Sequence, residues 1–332
     1  MKTLSLTVVM YHYVRPISTS RYPAIRGLEM VDFEGQLDYL QRHYQPVSAA
    51  QVIAANRGEA DLPNAPVLLT FDDGYKDHFD VYRALKRRGM SGAFFPPASV
   101  VRERQILDVN KIHFLLACVP DTSTLVSEIE RVVLVEREEY SLLPTAEYRE
   151  KYWQANRFDS ADVIYVKRML QVGLPERLRN RIVDALFRKF VSSDERAFAE
   201  ELYLSEADLK EMLVDGMEIG SHGYAHYWLN SLGIQEQAKD IDRSLDLLDE
   251  LGVARKDFLF CYPYGAYNED TLQLLRQRGC GAAFNTYVAL ADACTKNMLE
   301  IPRLDTIDLP KSGSSEIANW TMKMISENSK LL

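Results

Sequence analysis

Short apolar runs alternate with amphipathic stretches over the first hundred residues of the chain. Apolar runs of roughly four to eight residues, bounded by polar or turn-forming residues, are typical of buried strands. The amphipathic stretches repeat apolar residues three and four positions apart, which indicates helices that bury one face. This order of strand, helix and strand predicts a parallel sheet or a barrel, with functional residues at the C-terminal strand ends. The predicted elements are strands at 4–10, 67–71 and 92–95, a helix capped by Asp32, and a helix over 77–89.

The middle of the chain has a different pattern. From about residue 109 to about residue 203, glycine is almost absent and runs such as ERLRNRIVDALFRKFV combine helical spacing with dense charge. We therefore predict an all-helical insertion at 108–203 within a barrel formed by 1–107 and 204–332. Dense charge on helices is more often a solvated face than a binding site.

The alternating pattern returns after the insertion. Ser205 and Asp208 have the spacing of a capping box at the start of a helix, and Gly216 is a plausible stop. The remaining predicted elements are strands at 217–220, 258–262, 282–284 and 301–304 and helices at 235–251, 269–278 and the C-terminus.

Composition limits the classes of partner. The 332 residues include 47% hydrophobic and 26% charged residues, which is ordinary for a soluble globular protein. The formal net charge is −9 and the sequence has no basic stripe, so nucleic acid is not an expected partner.

Cysteine spacing and the N-terminal pattern bear on the compartment. The four cysteines form no CxxC pair, which predicts thiols in a reducing compartment rather than a disulfide framework. The short apolar stretch at the N-terminus lacks a small-residue cleavage site and predicts the first strand rather than a signal peptide. No run approaches the roughly 20 apolar residues of a membrane span. We therefore expect a cytoplasmic protein.

Two predicted strand ends carry candidate chemistry. Asp72 and Asp73 end one buried strand, although two adjacent carboxylates repel each other there. His222 and His226 follow another strand at a spacing of His-x3-His, which places both imidazoles on one face if the segment begins a helical turn. Two imidazoles and a carboxylate suit a divalent cation, most commonly zinc, with iron, cobalt and nickel as alternatives. Taken separately, the acidic pair is also typical of a simple turn, and the histidines of ordinary structural residues.

The order of these motifs resembles a known family. TFDDG at 70–74, SHGYAH at 221–226 and YPYG at 262–265 are similar to motifs of the NodB-type polysaccharide deacetylases, carbohydrate esterase family four. The resemblance covers roughly 1–107 and 204–310. It implies an irregular (β/α)7 barrel and metal-dependent removal of an N- or O-acetyl group from a sugar.

The resemblance also implies roles for individual residues. Asp72 corresponds to the general base, while Asp73, His222 and His226 correspond to the metal ligands. The backbone N–H of Tyr264 would stabilise the oxyanion. Gly265 would permit close approach of the backbone to the substrate.

Two features depart from the family pattern. Cys261 stands where many members have an arginine that holds the base, and the late Leu-x-His that supplies the general acid is missing. The subgroup similar to poly-N-acetylglucosamine deacetylases has an early Tyr-His motif, whose histidine serves as the acid. The corresponding residue here is His12, at the end of the first predicted strand; a core histidine is the alternative.

Several assignments are less specific. Arg303, at the end of a late strand, is the candidate to replace the missing arginine and orient Asp72, although a surface ion pair is an equal alternative. Phe284, Asn285 and Tyr287 are candidates to line the acetyl pocket. We expect His78 to lie on a helix surface and His113 to be structural or at the rim of the substrate site.

The predicted function is hydrolysis of the acetyl group of an amino sugar or glycan precursor in surface-polysaccharide metabolism. A nucleotide-linked or lipid-linked amino sugar is the expected substrate in the cytoplasm. Two alternatives stay open: hydrolysis of a small non-sugar amide, and a catalytically silent sugar-binding protein on the same fold. The missing late histidine and Cys261 are the features that favour the silent protein.

Overall fold

A computed structural model describes residues 4–156, 159–295 and 297–329 of the chain. The chain forms two compact units: a barrel unit of 1–16, 27–104 and 200–332, and a helical unit of 17–26 and 105–199. The segment 17–26 belongs to the helical unit, whereas the sequence analysis assigned it to the barrel.

The described part of the chain contains short strands and many helices. The strands are β1 Ser5–Tyr11, β2 Val14–Arg15, β3 Leu28–Glu29, β4 Gln45–Pro46, β5 Pro66–Asp72, β6 Ala93–Phe95, β7 Glu218–Ile219, β8 Phe258–Cys261, β9 Cys280–Phe284, β10 Ala291–Asp292 and β11 Leu304–Asp305. The α-helices are α1 Met30–His43, α2 Ala49–Asn56, α3 His78–Arg87, α4 Ala98–Arg102, α5 Asp108–Cys118, α6 Thr122–Glu136, α7 Thr145–Tyr152, α8 Ala161–Arg168, α9 Glu176–Phe190, α10 Glu195–Leu202, α11 Glu206–Val214, α12 Ile234–Glu250, α13 Glu269–Gln277 and α14 Asn319–Ser329.

Parallel strand pairing forms an irregular barrel, as the sequence predicts. β1 pairs in parallel with β5 and β11, and the sheet continues through β6 to β7. A parallel bridge between Ser221 and Phe260 joins the β7 side to β8, which pairs with β9. A second bridge, between Phe284 and Ile301, leads from β9 to the segment that continues into β11. Seven parallel segments therefore close a ring, and their C-terminal ends meet at one mouth.

Strand alternation decides which side chains reach that mouth. Phe71 stacks on Tyr11 and Phe94 on one face of the sheet, with ring centroids 5.0 and 4.6 Å apart. The alternate residues of β5, Leu68 and Asp72 among them, face the other way. Leu68 packs in the apolar core of the barrel, so Asp72 is the last inward-facing residue of its strand.

Three local predictions have clear outcomes. The capping box of Ser205 and Asp208 is confirmed at the start of α11. Asp32 is not the cap of the first helix, because α1 begins at Met30 and Asp32 lies in its first turn. The last strand, predicted at 301–304, is β11 at Leu304–Asp305, and Ile301 forms only a single bridge.

Among the described residues, we find no helix that is both long and apolar enough to cross a membrane.

Candidate active site

Three buried side chains converge at the barrel mouth. Asp73 Oδ1 lies 3.3 Å from His226 Nε2 and 3.5 Å from His222 Nε2. The exposed fractions of the three residues are 4%, 8% and 2%. Two nitrogen donors and one oxygen donor therefore face a common point away from bulk water.

The donor set fits a divalent cation. Tyr75 donates its hydroxyl hydrogen to Asp73 Oδ2 at 2.6 Å, while Asp73 Oδ1 accepts no hydrogen bond from any described residue. His222 Nδ1 lies 2.8 Å from the carbonyl of Cys261, to which it donates, so its Nε2 lone pair faces Asp73. Ligands bound to zinc at about 2.1 Å with tetrahedral angles lie about 3.4 Å apart, close to both distances.

The protonation states of two candidate ligands, Asp73 and His226, also suit a cation. Burial raises the pKa of Asp73, but the two imidazoles outweigh it and hold that pKa well below its usual value. Burial lowers the pKa of His226. A carboxylate and a neutral imidazole are the forms that bind metal.

The segment from His222 to His226 is a loop, which corrects the sequence-based expectation of a helical turn. Gly223 and His226 both have left-handed backbone angles, with φ of 70° and 57°. The imidazole rings still approach to 4.8 Å between centroids. The left-handed angles are incompatible with a helical turn, and the Gly223 and Tyr224 carbonyls, which a helix would use as acceptors, accept instead from the amides of Ala98 and Ser99.

Asp72 is held by Arg303. Nη1 and Nη2 of Arg303 donate to Oδ1 and Oδ2 of Asp72 at 2.9 and 2.8 Å, and both residues are buried. The other three donor hydrogens of Arg303 point to the Asn285 carbonyl, Thr70 Oγ1 and Cys261 Sγ. Burial raises the pKa of Asp72, but the guanidinium outweighs it and lowers the pKa to about 2. Arg303 is therefore not part of a surface ion pair.

His12 lies on the open side of Asp72. Its Nε2 is 3.8 Å from Asp72 Oδ2, and its side chain is 42% exposed. The exposed imidazole can reach both the carboxylate and a bound substrate, which a core histidine cannot do.

His78 is fully buried, so its predicted place on a helix surface is wrong. Its Nε2 lies 2.7 Å from the backbone carbonyl of His12, to which it donates. The ring packs against Phe71, Tyr75 and Phe94. His78 therefore anchors the strand end that carries His12.

Tyr264 lies beside the cluster of Asp73, His222 and His226. Its ring is 4.6 Å from that of His226, and Trp228 stacks on the Tyr264 ring at 4.4 Å and 12°. Gly265 has a φ of 67°, and an added Cβ would lie 2.2 Å from Thr286 Oγ1. The missing side chain of Gly265 thus makes room for Thr286.

The remaining candidates have different places. Phe284 is fully buried and packs against Phe95 in the core, so its side chain does not line a substrate pocket. Asn285 is buried, and its Oδ1 accepts a hydrogen bond from the amide of Tyr287. Tyr287 is 72% exposed. His113 is part of α5 in the helical unit.

Cys261 is tied to both halves of the site. Its carbonyl holds His222, and its sulfur accepts a hydrogen bond from Arg303 Nη2 at 3.2 Å. Burial raises the pKa of the thiol, which disfavours the nucleophilic thiolate. The sequence predicts Cys261 as the replacement of an arginine and as a feature that favours a silent protein, but does not predict these contacts. Its position at the end of β8 was the available signal.

Comparison with known proteins identifies relatives of this site. Residues 187–283 match the family described as "Polysaccharide deacetylase". The protein YxkH of Bacillus subtilis (strain 168) is 32% identical over 84 residues, which is 25% of this chain and 30% of that protein. The poly-beta-1,6-N-acetyl-D-glucosamine N-deacetylase of Escherichia coli (strain K12) is 56% identical over 36 residues, 11% of this chain and 5% of the enzyme. The matches therefore span less than a third of either relative.

Solved structures share the fold over nearly the whole chain. The Streptococcus pyogenes deacetylase PplD has a TM-score of 0.57 at 16% identity, with 91% of this chain and 92% of that chain covered. IcaB from Ammonifex degensii has a TM-score of 0.53 at 18% identity, with 98% and 97% covered. At such identities the likeness establishes the fold.

Proposed function

We propose that this chain, a member of the NodB-type polysaccharide deacetylase family, hydrolyses the acetyl group of an acetylated amino sugar in a glycan or glycan precursor. The observation that supports the reaction is one cluster of buried groups. It combines three metal-type donors with a carboxylate, Asp72, that a buried arginine holds in its charged form. The similarity to the poly-beta-1,6-N-acetyl-D-glucosamine N-deacetylase of Escherichia coli supports an N-acetylglucosamine-containing substrate.

Asp73, His222 and His226 would hold a divalent cation, with zinc as the first candidate and iron, cobalt or nickel as alternatives. When bound, such a cation polarises the acetyl carbonyl and lowers the pKa of water toward about 7. All three residues are buried, so their ligand atoms are shielded from bulk water.

Asp72 accepts the proton of the water that adds to the acetyl carbonyl carbon. Arg303 fixes the direction of its oxygens, since two parallel hydrogen bonds leave the carboxylate no freedom to rotate. A positioned base of this kind contributes about 10²- to 10⁴-fold to a rate.

The oxyanion that forms needs a hydrogen-bond donor. Cleavage of the carbon–nitrogen bond then needs an acid that protonates the nitrogen. The backbone N–H of Tyr264 is the donor that the family resemblance implies, and the Tyr264 residue lies next to His226, with 4.6 Å between the ring centroids. His12 is the proposed acid: it protonates the sugar nitrogen as the bond breaks, which releases acetate and the free amine. Its exposed edge beside Asp72 supports this role.

The test begins with the cation content of purified wild-type protein, Asp73→Ala and His222→Ala. We expect close to one divalent ion per chain in the wild type and loss in both variants. His43→Ala, in α1, is the matched control and should keep the ion. Acetate release from N-acetylglucosamine oligomers and from a nucleotide-linked N-acetylglucosamine then tests the substrate.

Two results would contradict the proposal. A wild-type protein that binds no cation even when zinc or cobalt is supplied would exclude the hydrolytic mechanism as written, and a silent sugar-binding protein would become the better explanation. Cation binding with turnover only of small non-sugar amides would instead support the alternative amidohydrolase.

A further inference from the structure

We propose that Asp240, in α12, is a positioning residue for the metal triad. Its carboxylate holds the loop between His222 and His226 in the shape that brings both imidazoles to Asp73. The inference rests on the proposed function, because it concerns the same triad. It assigns a role to a helix that carries none of the motif residues.

The first observation is a pair of hydrogen bonds from the loop to one carboxylate. Tyr224 N donates to Asp240 Oδ2 at 2.8 Å, and Ala225 N donates to Asp240 Oδ1 at 3.1 Å. Asp240 is only 6% exposed. Both of its oxygens must accept, so an asparagine would turn an N–H₂ group toward one of the two amides.

The same face of α12 also contacts Ser221, the residue that accepts from the amide of Gly223. Gly223 N donates to Ser221 Oγ at 3.1 Å, and Ser221 Oγ lies 2.6 Å from Ser244 Oγ. Asp240 and Ser244 are four residues apart in α12, which places them on one helix face. The N–H groups of Gly223, Tyr224 and Ala225 therefore all have side-chain acceptors: Ser221 in a local turn for the first, and Asp240 for the other two.

The loop carbonyls are fixed by a second helix, α4. Ala98 N donates to the Gly223 carbonyl at 3.1 Å, and Ser99 N donates to the Tyr224 carbonyl at 2.9 Å. These amides belong to the first turn of α4. Contacts from both helices can hold His226 at a φ of 57°, a conformation that non-glycine residues rarely adopt.

Gly223 leaves room for the carboxylate of Asp240 because it has no side chain. Its φ is 70°, and an added Cβ would lie 2.8 Å from Asp240 Oδ2. The glycine and the aspartate thus fit each other, which a general helix–loop contact would not require.

The test is the affinity of the metal-free protein for Zn²⁺, measured by competition with a chromophoric chelator. We expect Asp240→Asn to bind Zn²⁺ about 10- to 100-fold more weakly than the wild type, the range for loss of a group that orients metal ligands. The visible spectrum of the Co²⁺-loaded variant should also change, because the imidazoles no longer hold the same angles. Asp242→Asn, on the same helix but paired with Arg278 at the surface, should leave affinity and spectrum unchanged.

The outcomes separate this inference from the proposed function. A folded Asp240→Asn protein with wild-type Zn²⁺ affinity and an unchanged Co²⁺ spectrum would overturn the inference and leave the function standing. A wild-type protein that binds neither ion would overturn both. If Asp240→Asn does not fold, Gly223→Ala decides, because its Cβ would press on Asp240 Oδ2: a several-fold loss of affinity supports the inference, and wild-type affinity overturns it.

Discussion

Arg303 and Asp72 form a bidentate ion pair with distances of 2.9 and 2.8 Å across 231 residues of sequence. Neither residue has access to water beyond 1% of its surface. A buried carboxylate without a partner is costly, so the pair is needed both to keep Asp72 charged and to aim it. Arg303 directly precedes β11, and Asp72 ends β5. Both strands pair with β1, so the ion pair spans β1.

Replacing Arg303 by lysine should reduce turnover sharply. Lysine offers one point charge and cannot donate in parallel to both oxygens, so Asp72 gains rotational freedom. We expect kcat to fall about 100-fold, as for a catalytic group misplaced by about 1 Å, with a smaller change in KM. Steady-state deacetylation kinetics measure the effect.

The control for that substitution is Arg278→Lys. Arg278 also contacts both oxygens of an aspartate, Asp242, but at the surface. Its loss should cost at most about 1 kcal/mol of stability and leave kcat unchanged. Equal kinetics for Arg303→Lys and the wild type would contradict the orienting role of Arg303.

His12→Ala should affect substrates according to their leaving group. An amide nitrogen must be protonated to depart, whereas an aryl oxide leaves without help. We expect about a 10²- to 10⁴-fold loss of kcat on an N-acetylated sugar and a much smaller loss on an aryl acetate. The cation content should stay at the wild-type level. Equal losses on both substrates would argue that His12 is not the acid.

His78 should make stability depend on pH. Burial lowers its pKa to about 4 in the folded protein, against about 6.5 in an unfolded chain. Its neutral ring stabilises the fold above pH 6.5, and that contribution is lost as the pH falls from 6.5 toward 4, because the unfolded chain takes up the proton first.

His78→Gln removes this titration and keeps a side-chain donor for the His12 carbonyl. Between pH 7.5 and pH 5, the wild type should lose about 2 kcal/mol more unfolding free energy than the variant. Urea unfolding of both proteins at the two pH values, with a chelator present, measures the difference. A parallel pH dependence in the two proteins would contradict the buried, neutral state of His78.

The strand ends that carry chemistry could be predicted because a parallel barrel brings them together whatever the intervening sequence. Asp72 ends the apolar run of β5 and His222 follows the short strand β7, so local pattern places both at C-terminal strand ends. Arg303, predicted at the end of a late strand, lies instead directly before β11. Their meeting across the chain follows from the closure of the ring.

The conformation of the loop after β7 could not be predicted in the same way. A His-x3-His spacing is compatible with a helical turn, and nothing local forbids one. The carbonyls that a helix would use accept instead from the amides of Ala98 and Ser99, and these contacts depend on how α4 packs. The burial of His78 has the same origin, since α3 turns it toward Phe71 and Phe94. Tertiary contacts of this kind override local periodicity.

Gly223→Ala should damage cation binding as well as stability. The left-handed φ of 70° costs an alanine about 1–2 kcal/mol, and the new Cβ would press on Asp240 Oδ2 at 2.8 Å. The carboxylate must then move away from the amide of Tyr224. We expect a total loss of about 2–3 kcal/mol in unfolding free energy and a clear drop in Zn²⁺ affinity.

Gly252→Ala separates the two effects. Gly252 has a similar φ of 80°, but an added Cβ meets nothing within 4 Å. Gly252→Ala should lose only the unfolding free energy that the left-handed backbone costs an alanine, about 1–2 kcal/mol, and should bind Zn²⁺ like the wild type. Urea unfolding and chelator competition on both variants give the comparison. If Gly223→Ala lost stability no more than Gly252→Ala and kept full Zn²⁺ affinity, the contact between Gly223 and Asp240 would have no part in shaping the metal site.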